Sequence, residues 1–297
     1  MYFLSPSQST QAQERFLFAM TARLDIFVAS RCHFLLFSSS LQNVTHSTMT
    51  LIIEQPHIFP STLLVGVTER NTHLFPETGL SLLKGQILND AEVADHRLRL
   101  AEAIGVEKSA LKFQKQVHAT TVRTLTHENH EHHTTEPFAE SDGMITATKG
   151  FVLCVGIADC ASVLLYDPEH EVIAALHSGW KGTHGNIVQG GIKEMHKKFG
   201  TEAASLLAYI SPCASGERYV VREDVAQLFA APALQRLNDE EYLFDNRLQI
   251  KEQLLAAGVQ AENIEVSAGC TISDERYHSH RRDGERAGRM VAFIGMR

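Results

Sequence analysis

The chain has 297 residues, of which 44% are hydrophobic and 21% charged, enough apolar mass for a large core and a length that suits one or two domains. Its net charge of -8 supplies no basic field for nucleic acid or anionic lipid, so neither is expected as a partner and a small molecule or protein is. The five cysteines (Cys32, Cys154, Cys160, Cys213, Cys270) are odd in number, dispersed and without paired spacing, which argues against a disulfide framework and for reduced thiols in a cytoplasmic protein.

Residues 1–48 are rich in Ser, Thr and Gln and follow neither a helical nor a strand period. Their most apolar stretch, 26–37, carries Arg31 and His33, is too short to cross a bilayer, and has no cleavage site after it. Met49 then opens Thr-Leu-Ile-Ile-Glu. The expected organisation is a leader over 1–48, disordered or outside the true product, and one folded domain over 49–297.

From there, strand and helix patterns alternate. Residues 63–68 read as a strand. Residues 91–104, with Val93, Leu98, Leu100 and Ile104 among charges and Gly105 following, read as an amphipathic helix with a glycine stop. Residues 111–117 alternate and predict a strand ending at His118. A polar loop, 126–135, holds His127, His130, His132 and His133. Three apolar runs follow at 151–157, 162–166 and 172–176, expected as core strands of one sheet. Residues 187–199 predict a helix closed by Gly200, 206–210 a strand, 225–229 and 248–257 helices, and 264–267 a late strand. The fold class is α/β: a single mixed-sheet domain with flanking helices, a layered sandwich.

Three side chains stand at the ends of predicted strands: His118, Cys160 and His177. Strand ends are where a rigid scaffold meets solvent, so such side chains can converge on a ligand. No zinc-finger spacing joins them, which argues against a structural zinc ribbon. Two imidazoles and one thiolate from separate strands suit a catalytic zinc, with a fourth position open to water or substrate. A lone Cys after a strand is more often a small buried hydrophobe, and a lone His a packing residue. The turn Ser178-Gly179-Trp180-Lys181-Gly182 before a helix weighs against that bland reading at His177, because glycines let the backbone approach a ligand closely. The same trio also allows a cysteine hydrolase, with Cys160 as nucleophile and His177 as base.

The His-rich loop invites a metal reading, but nothing in the sequence orders it, and an acidic surface loop that binds metal adventitiously is favoured. Arg281 and Arg282, beside Asp283-Gly284, can recognise a phosphate or carboxylate, or form a salt-bridged turn. Arg70, after the first strand, is a further candidate anion contact. A multicopper site is not expected, since it needs many repeated His-x-His pairs and the sequence has just two, His130-Glu131-His132 in a predicted loop and His278-Ser279-His280.

Gln116-Val117-His118, Asp142-Gly143, Ala158-Asp159-Cys160, His177 to Thr183, Cys270-Thr271 and Arg281-Arg282-Asp283-Gly284 together resemble the YfiH or laccase-domain family, from about Met49 to the C-terminus. The resemblance implies a catalytic domain over 49–297 with one zinc on His118, Cys160 and His177. It implies phosphorolysis of adenosine, inosine, guanosine and methylthioadenosine, with adenosine deamination as a further activity. Nucleoside and phosphate are then the partners. Arg70 matches the family's arginine near the nucleoside, and Gln116, Gly179, Trp180 and Lys181 are the expected substrate contacts. Asp159 is the candidate for moving protons, with Arg70 and Arg281 holding phosphate. Amide hydrolysis at peptidoglycan precursors and a non-enzymatic interaction protein are the rival readings. The sequence departs from the family pattern at Asn71-Thr72-His73, Ser81-Leu82-Leu83, Ser162 and Ser211-Pro212-Cys213, around the nucleoside and not at the metal ligands.

Overall fold

The computed structural model describes residues 50–85 and 88–297, so the expectation of a leader over 1–48 falls outside the described residues. In chain order the first strands and helix are β1 (Ile53–Glu54), β2 (Leu63–Thr68), α1 (Asp90–Ile104), β3 (Leu111–Lys112), β4 (Val122–Thr124) and β5 (Gly143–Thr146). Next come β6 (Val152–Ile157), β7 (Ala161–Asp167), β8 (Val172–Ser178), α2 (Trp180–His184), α3 (Ile187–Phe199) and β9 (Leu207–Ile210). The C-terminal part holds β10 (Val220–Arg222), α4 (Glu223–Ala226), β11 (Leu234–Arg236), β12 (Glu241–Phe244), α5 (Asn246–Ala256), β13 (Ile264–Val266), α6 (His280–Asp283) and β14 (Met290–Met296).

The strands form two large sheets and one small one. The first large sheet has the order β1-β2-β14-β6-β3, the second β13-β9-β7-β8-β5-β4, and the small one β10-β12-β11. Period-2 alternation assigns each large sheet two apolar faces. Leu153, Val155 and Ile157 of β6 and Ala292 and Ile294 of β14 meet Leu164, Tyr166, Ile173 and Ala175 of β7 and β8 in one inter-sheet core. The opposite residues of the second sheet, among them Val163, Leu165, Ala174 and Leu176, pack on Ile187, Ile192, Ile250 and Leu254 of α3 and α5. On the far side, Leu64, Cys154 and Phe293 pack on Leu100 and Ala101 of α1. The result is the expected layered α/β sandwich. Because both faces are covered, these strands read as unbroken apolar runs rather than alternating ones.

The helix boundaries follow from the sequence. Asn89 and Glu92 form a reciprocal capping box at the start of α1, and Gly105 ends it in the left-handed region. Asn186 caps α3 and Gly200 closes it, again left-handed.

Three expectations need correction. The run 151–157 does not join the next two in one sheet: β6 pairs with β14 and β3, while β7 pairs with β8 and β9. A short connection at 158–160 carries the chain from one sheet to the other. The strand predicted over 111–117 is real only at Leu111–Lys112, after which just an isolated bridge joins Lys115 to Glu140. The helix predicted over 225–229 is the short α4, Glu223–Ala226.

Candidate metal centre

The crossover between the sheets builds the site. Cys160 stands just before β7, and His177 is the next-to-last residue of β8, paired with Ser162 of β7. These two are therefore neighbours by strand pairing alone. His118 comes from the loop after β3 and needs a separate device. Its backbone is in the left-handed region, φ 59, which few non-glycine residues adopt. Asp142, just before β5, bends the loop into that shape. Its fully buried carboxylate accepts the backbone N–H groups of Val117 (3.2 Å), His118 (2.9 Å) and Ala119 (2.8 Å). The same carboxylate accepts Nδ1–H of His177 at 2.9 Å.

Asp142 thus does two jobs. Burial alone would push its pKa up, but the His177 contact and the amides outweigh that and hold it below the usual carboxylate range. Being ionised, it holds His177 through Nδ1 so that Nε2 faces the site, the orienting arrangement common behind metal-bound histidines. Burial opposes the charge on that ring, but Cys160 and Asp142 outweigh it and raise its pKa to about 9. One ligand atom each from His118, Cys160 and His177 lies within 4.8 Å of the others, and among the described residues no other group of metal-ligating side chains converges so. Burial would raise the Cys160 thiol, but the charge of His177 and hydrogen bonds from His118 and His177 outweigh it, so the thiol is acidified. A thiolate and two imidazoles, one of them oriented by a carboxylate, fit a zinc donor set, the metal taking the place of the proton that His177 and Cys160 share without it.

The expected turn after His177 has its own reason to be glycine. A Cβ on Gly179 would lie 2.7 Å from Cys160 Sγ. Its φ of -72 is ordinary, so it is the thiolate's space, not the backbone, that demands glycine there. The turn is locked from behind. Asn246 of α5 donates to the Ser178 carbonyl at 2.8 Å and accepts from the Thr183 hydroxyl at 2.7 Å. Trp180 is half-buried against Val221, Val225 and Phe244, which ties α2 to the small sheet, and the exposed Lys181 places its ammonium 5.4 Å from the Trp180 ring centre.

The other expected residues divide. The Gln116 side chain donates to the Gly156 carbonyl (2.9 Å) and accepts from its N–H (2.8 Å). It replaces the strand partner that β6 lacks beyond the short β3, so its amide is bonded into the fold. Asp159, left-handed at φ 85, accepts the Thr271 hydroxyl at 2.7 Å and the Arg281 backbone N–H at 2.6 Å. Those contacts brace the C-terminal segments against the Cys160 turn. The Arg281 guanidinium donates to the Val220 carbonyl at 2.8 Å and stacks over Tyr219. Arg282 is bound to carbonyls of Thr271 and Tyr277 and to Asp283. The guanidinium of Arg70, by contrast, has no hydrogen-bond or ion-pair partner among the described residues. Strands β2 and β6 both flank β14 antiparallel, so they run parallel to each other, and Arg70 and Asp159 follow them at the same end of the sheet. A cavity of about 770 Å³ lies elsewhere: it is lined by residues that include Ser215, Asp245, Arg247, Cys270 and Arg276 and by none of the three ligands.

The His-rich loop is more ordered than its composition suggested. Glu131–His133 forms a 3-10 turn, and His133 is buried with Nδ1 2.8 Å from the Phe113 carbonyl. Sequence reasoning gave no role to Asp142 or Asn246. Asp142-Gly143 stood among the resembling motifs, but Asn246 carries no local signal.

This arrangement defines an α/β protein with a His-Cys-His cluster able to hold a metal at the junction of two sheets. The family model for multi-copper polyphenol oxidoreductase laccase matches residues 75–297, and the chain belongs to that family. It is 36% identical over 205 residues to a purine nucleoside phosphorylase of Deinococcus radiodurans, covering 69% of this chain and 77% of that one. It is 29% identical over 249 residues to the purine nucleoside phosphorylase YlmD of Bacillus subtilis, covering 79% and 89%. Among solved structures it resembles the hypothetical protein YfiH of Bacillus licheniformis, with 25% identity, a TM-score of 0.74 and coverage of 79% and 93%. It also resembles YlmD of Geobacillus stearothermophilus, with 24% identity, a TM-score of 0.76 and coverage of 83% and 99%.

Proposed function

We propose that the chain is a zinc-dependent purine nucleoside phosphorylase acting on adenosine, inosine, guanosine and methylthioadenosine. The observation that carries the reading is the convergence of His118, Cys160 and His177 around a carboxylate that orients them, in a chain whose relatives bear the phosphorylase name. Two imidazoles and a thiolate leave one position open, which favours a catalytic over a structural zinc. Zinc there would supply a Lewis acid beside the reacting base. The remaining work falls to side chains. In phosphorolysis a phosphate oxygen bonds to C1′ as the C1′–N9 bond breaks, and the base departs with the bonding pair and takes up a proton. Arg70, with its uncommitted guanidinium, is the phosphate contact. Arg281 and Asp159 support the site by holding its wall together, and the contacts of Asp159 favour that role over proton transfer. Gly179 keeps the thiolate side clear, and Trp180 and Lys181 border the entrance turn.

One assay tests this. Purified protein is analysed for metal, then given adenosine with and without phosphate. Adenine and ribose 1-phosphate, formed only with phosphate, are expected. Free ribose alone would reject phosphorolysis, inosine would reveal deamination, and full activity in metal-free protein with a trapped Cys160 adduct would install the cysteine-hydrolase reading.

A further inference from the structure

At the end of the first large sheet, two buried polar atoms have no hydrogen-bond partner among the described residues: Arg70 Nε and His278 Nδ1. Orphaned groups of this kind are costly, and natural folds keep few of them. The two are complementary, one able only to donate and the other only to accept. His278 Nε2 lies 2.9 Å from the Leu80 carbonyl, which cannot donate, so Nε2 carries the proton and Nδ1 is a bare lone pair. The ring is 1% exposed. Burial outweighs the Leu80 hydrogen bond and, reinforced by the charge of Arg70, pushes its pKa down to about 4. The ring is therefore neutral at any working pH. The same Leu80 residue donates its N–H to the Arg70 carbonyl, so one residue holds both partners. A side chain at Gly79 would strike Arg70 Cγ and His278 Cε1 alike, which places the arginine stem and the imidazole against one point.

We propose that His278 is the positioning residue for Arg70, its Nδ1 accepting Nε–H when a phosphate docks on the outer nitrogens of the guanidinium. This rests on the reading of Arg70 as the phosphate contact. A guanidinium grips an oxyanion best through a planar pair of N–H groups, and its aim depends on what restrains the remaining N–H. A carboxylate in that place would orient the arginine but cancel the charge needed for phosphate. A neutral imidazole orients it without cancelling anything. The nearby carboxylate, Asp283, is itself taken by Arg282 through Nε at 2.9 Å and Nη2 at 2.8 Å, which leaves Arg70 its charge.

The two ring nitrogens can be tested separately, because the amide of Asn reaches the place of Nδ1 and that of Gln the place of Nε2. His278→Gln keeps the bond to Leu80 and removes the Nδ1 acceptor. It should raise the KM for phosphate roughly 10-fold, with kcat and the nucleoside KM within about twofold. His278→Asn restores the acceptor and should recover most of that loss. Arg70→Ala should raise the phosphate KM by roughly 30-fold or more. Thermal shifts with inorganic phosphate alone should follow the same order, and the Tm without phosphate reports folding. The reverse order, Asn worse than Gln, would show that His278 only anchors Leu80 and would overturn the proposal. Wild-type phosphate KM in both His278 variants, with Arg70→Ala impaired, would overturn the positioning role and leave Arg70 as the contact. An unchanged phosphate KM in Arg70→Ala would remove the underlying reading as well.

Discussion

The molecule carries two histidine clusters, and the one with fewer histidines is the one whose side chains converge where a metal could be held. The loop 126–135 holds His127, His130, His132 and His133. His127 and His130 stand edge-on to Phe151, with ring centroids 5.1 and 5.0 Å away, and His133 turns inward to a carbonyl. They use their imidazoles as packing surface and as a hydrogen-bond donor. His118 and His177 also meet edge-on, at 4.9 Å, but a thiolate stands beside them and one buried carboxylate sets both the ring of His177 and the backbone of His118. Convergence enforced by rigid elements, not the number of histidines, makes a site.

The largest expected effect is at Cys160. Wild-type protein should carry about one zinc per chain, as a three-ligand site requires. Cys160→Ser should lose most of it, because a hydroxyl is a far weaker ligand than a thiolate. His177→Ala should behave alike, and a chelator should silence the wild type reversibly. Triple replacement of His127, His130 and His132 by Ala should change neither zinc content nor rate. Loss of zinc from the triple variant and not from Cys160→Ser would invert the comparison.

Two subtler variants ask what the scaffold contributes. Asp142→Asn leaves every ligand in place but removes the charge that holds them, and zinc affinity should fall roughly 10- to 100-fold. Stability should fall too, since the left-handed turn at His118 loses the acceptor that holds it. Gly179→Ala separates the two effects. The backbone tolerates alanine at φ -72, but the new methyl meets the Cys160 sulfur at 2.7 Å. Zinc occupancy should drop while the metal-free Tm stays within about 2 °C of wild type. A matching loss of metal-free Tm would mean that the turn, and not the thiolate's space, is what glycine serves.

How much of this was legible in the sequence depends on the range of the forces involved. The buried strands announce themselves as unbroken apolar runs, and the Asn89 and Gly105 caps of α1 are local signals read within a few residues. The three candidate ligands were also visible as candidates: Cys160 follows and His177 ends such a run, while His118 closes the alternating stretch 111–117. The partition into two sheets was not: β6 and β7 are separated by three residues, and nothing local says that the chain changes sheets there. Nor was the early end of β3, where the Gln116 amide substitutes for strand pairing across forty positions. Asn246 lies still further from the turn it locks, sixty-eight residues from Ser178.

The smallest effect distinguishes the buried member of the non-metal cluster from its exposed neighbours. Burial pushes the His133 pKa below its usual 6.5, against the hydrogen bond to Phe113, which works in the opposite direction. The folded state therefore keeps His133 neutral at a pH where the unfolded chain has begun to protonate it. Where the unfolded state binds more protons, stability rises with pH. The contribution is thus complete above about 6.5 and is lost as the pH falls through the lower folded value, with a slope of at most about 1.4 kcal/mol per pH unit. His133→Asn keeps a donor for the Phe113 carbonyl and removes the titrating group. Urea unfolding at pH 7 and pH 5 should show the wild type losing more stability on acidification than this variant. The other buried histidine with a depressed pKa, His278, is present in both proteins and cancels in the difference. His132→Ala, at an exposed position, should track the wild type at both pH values. Equal acid sensitivity in His133→Asn and wild type would mean that His133 is protonated in the fold, and the loop would then hold a buried charge that its contacts do not explain.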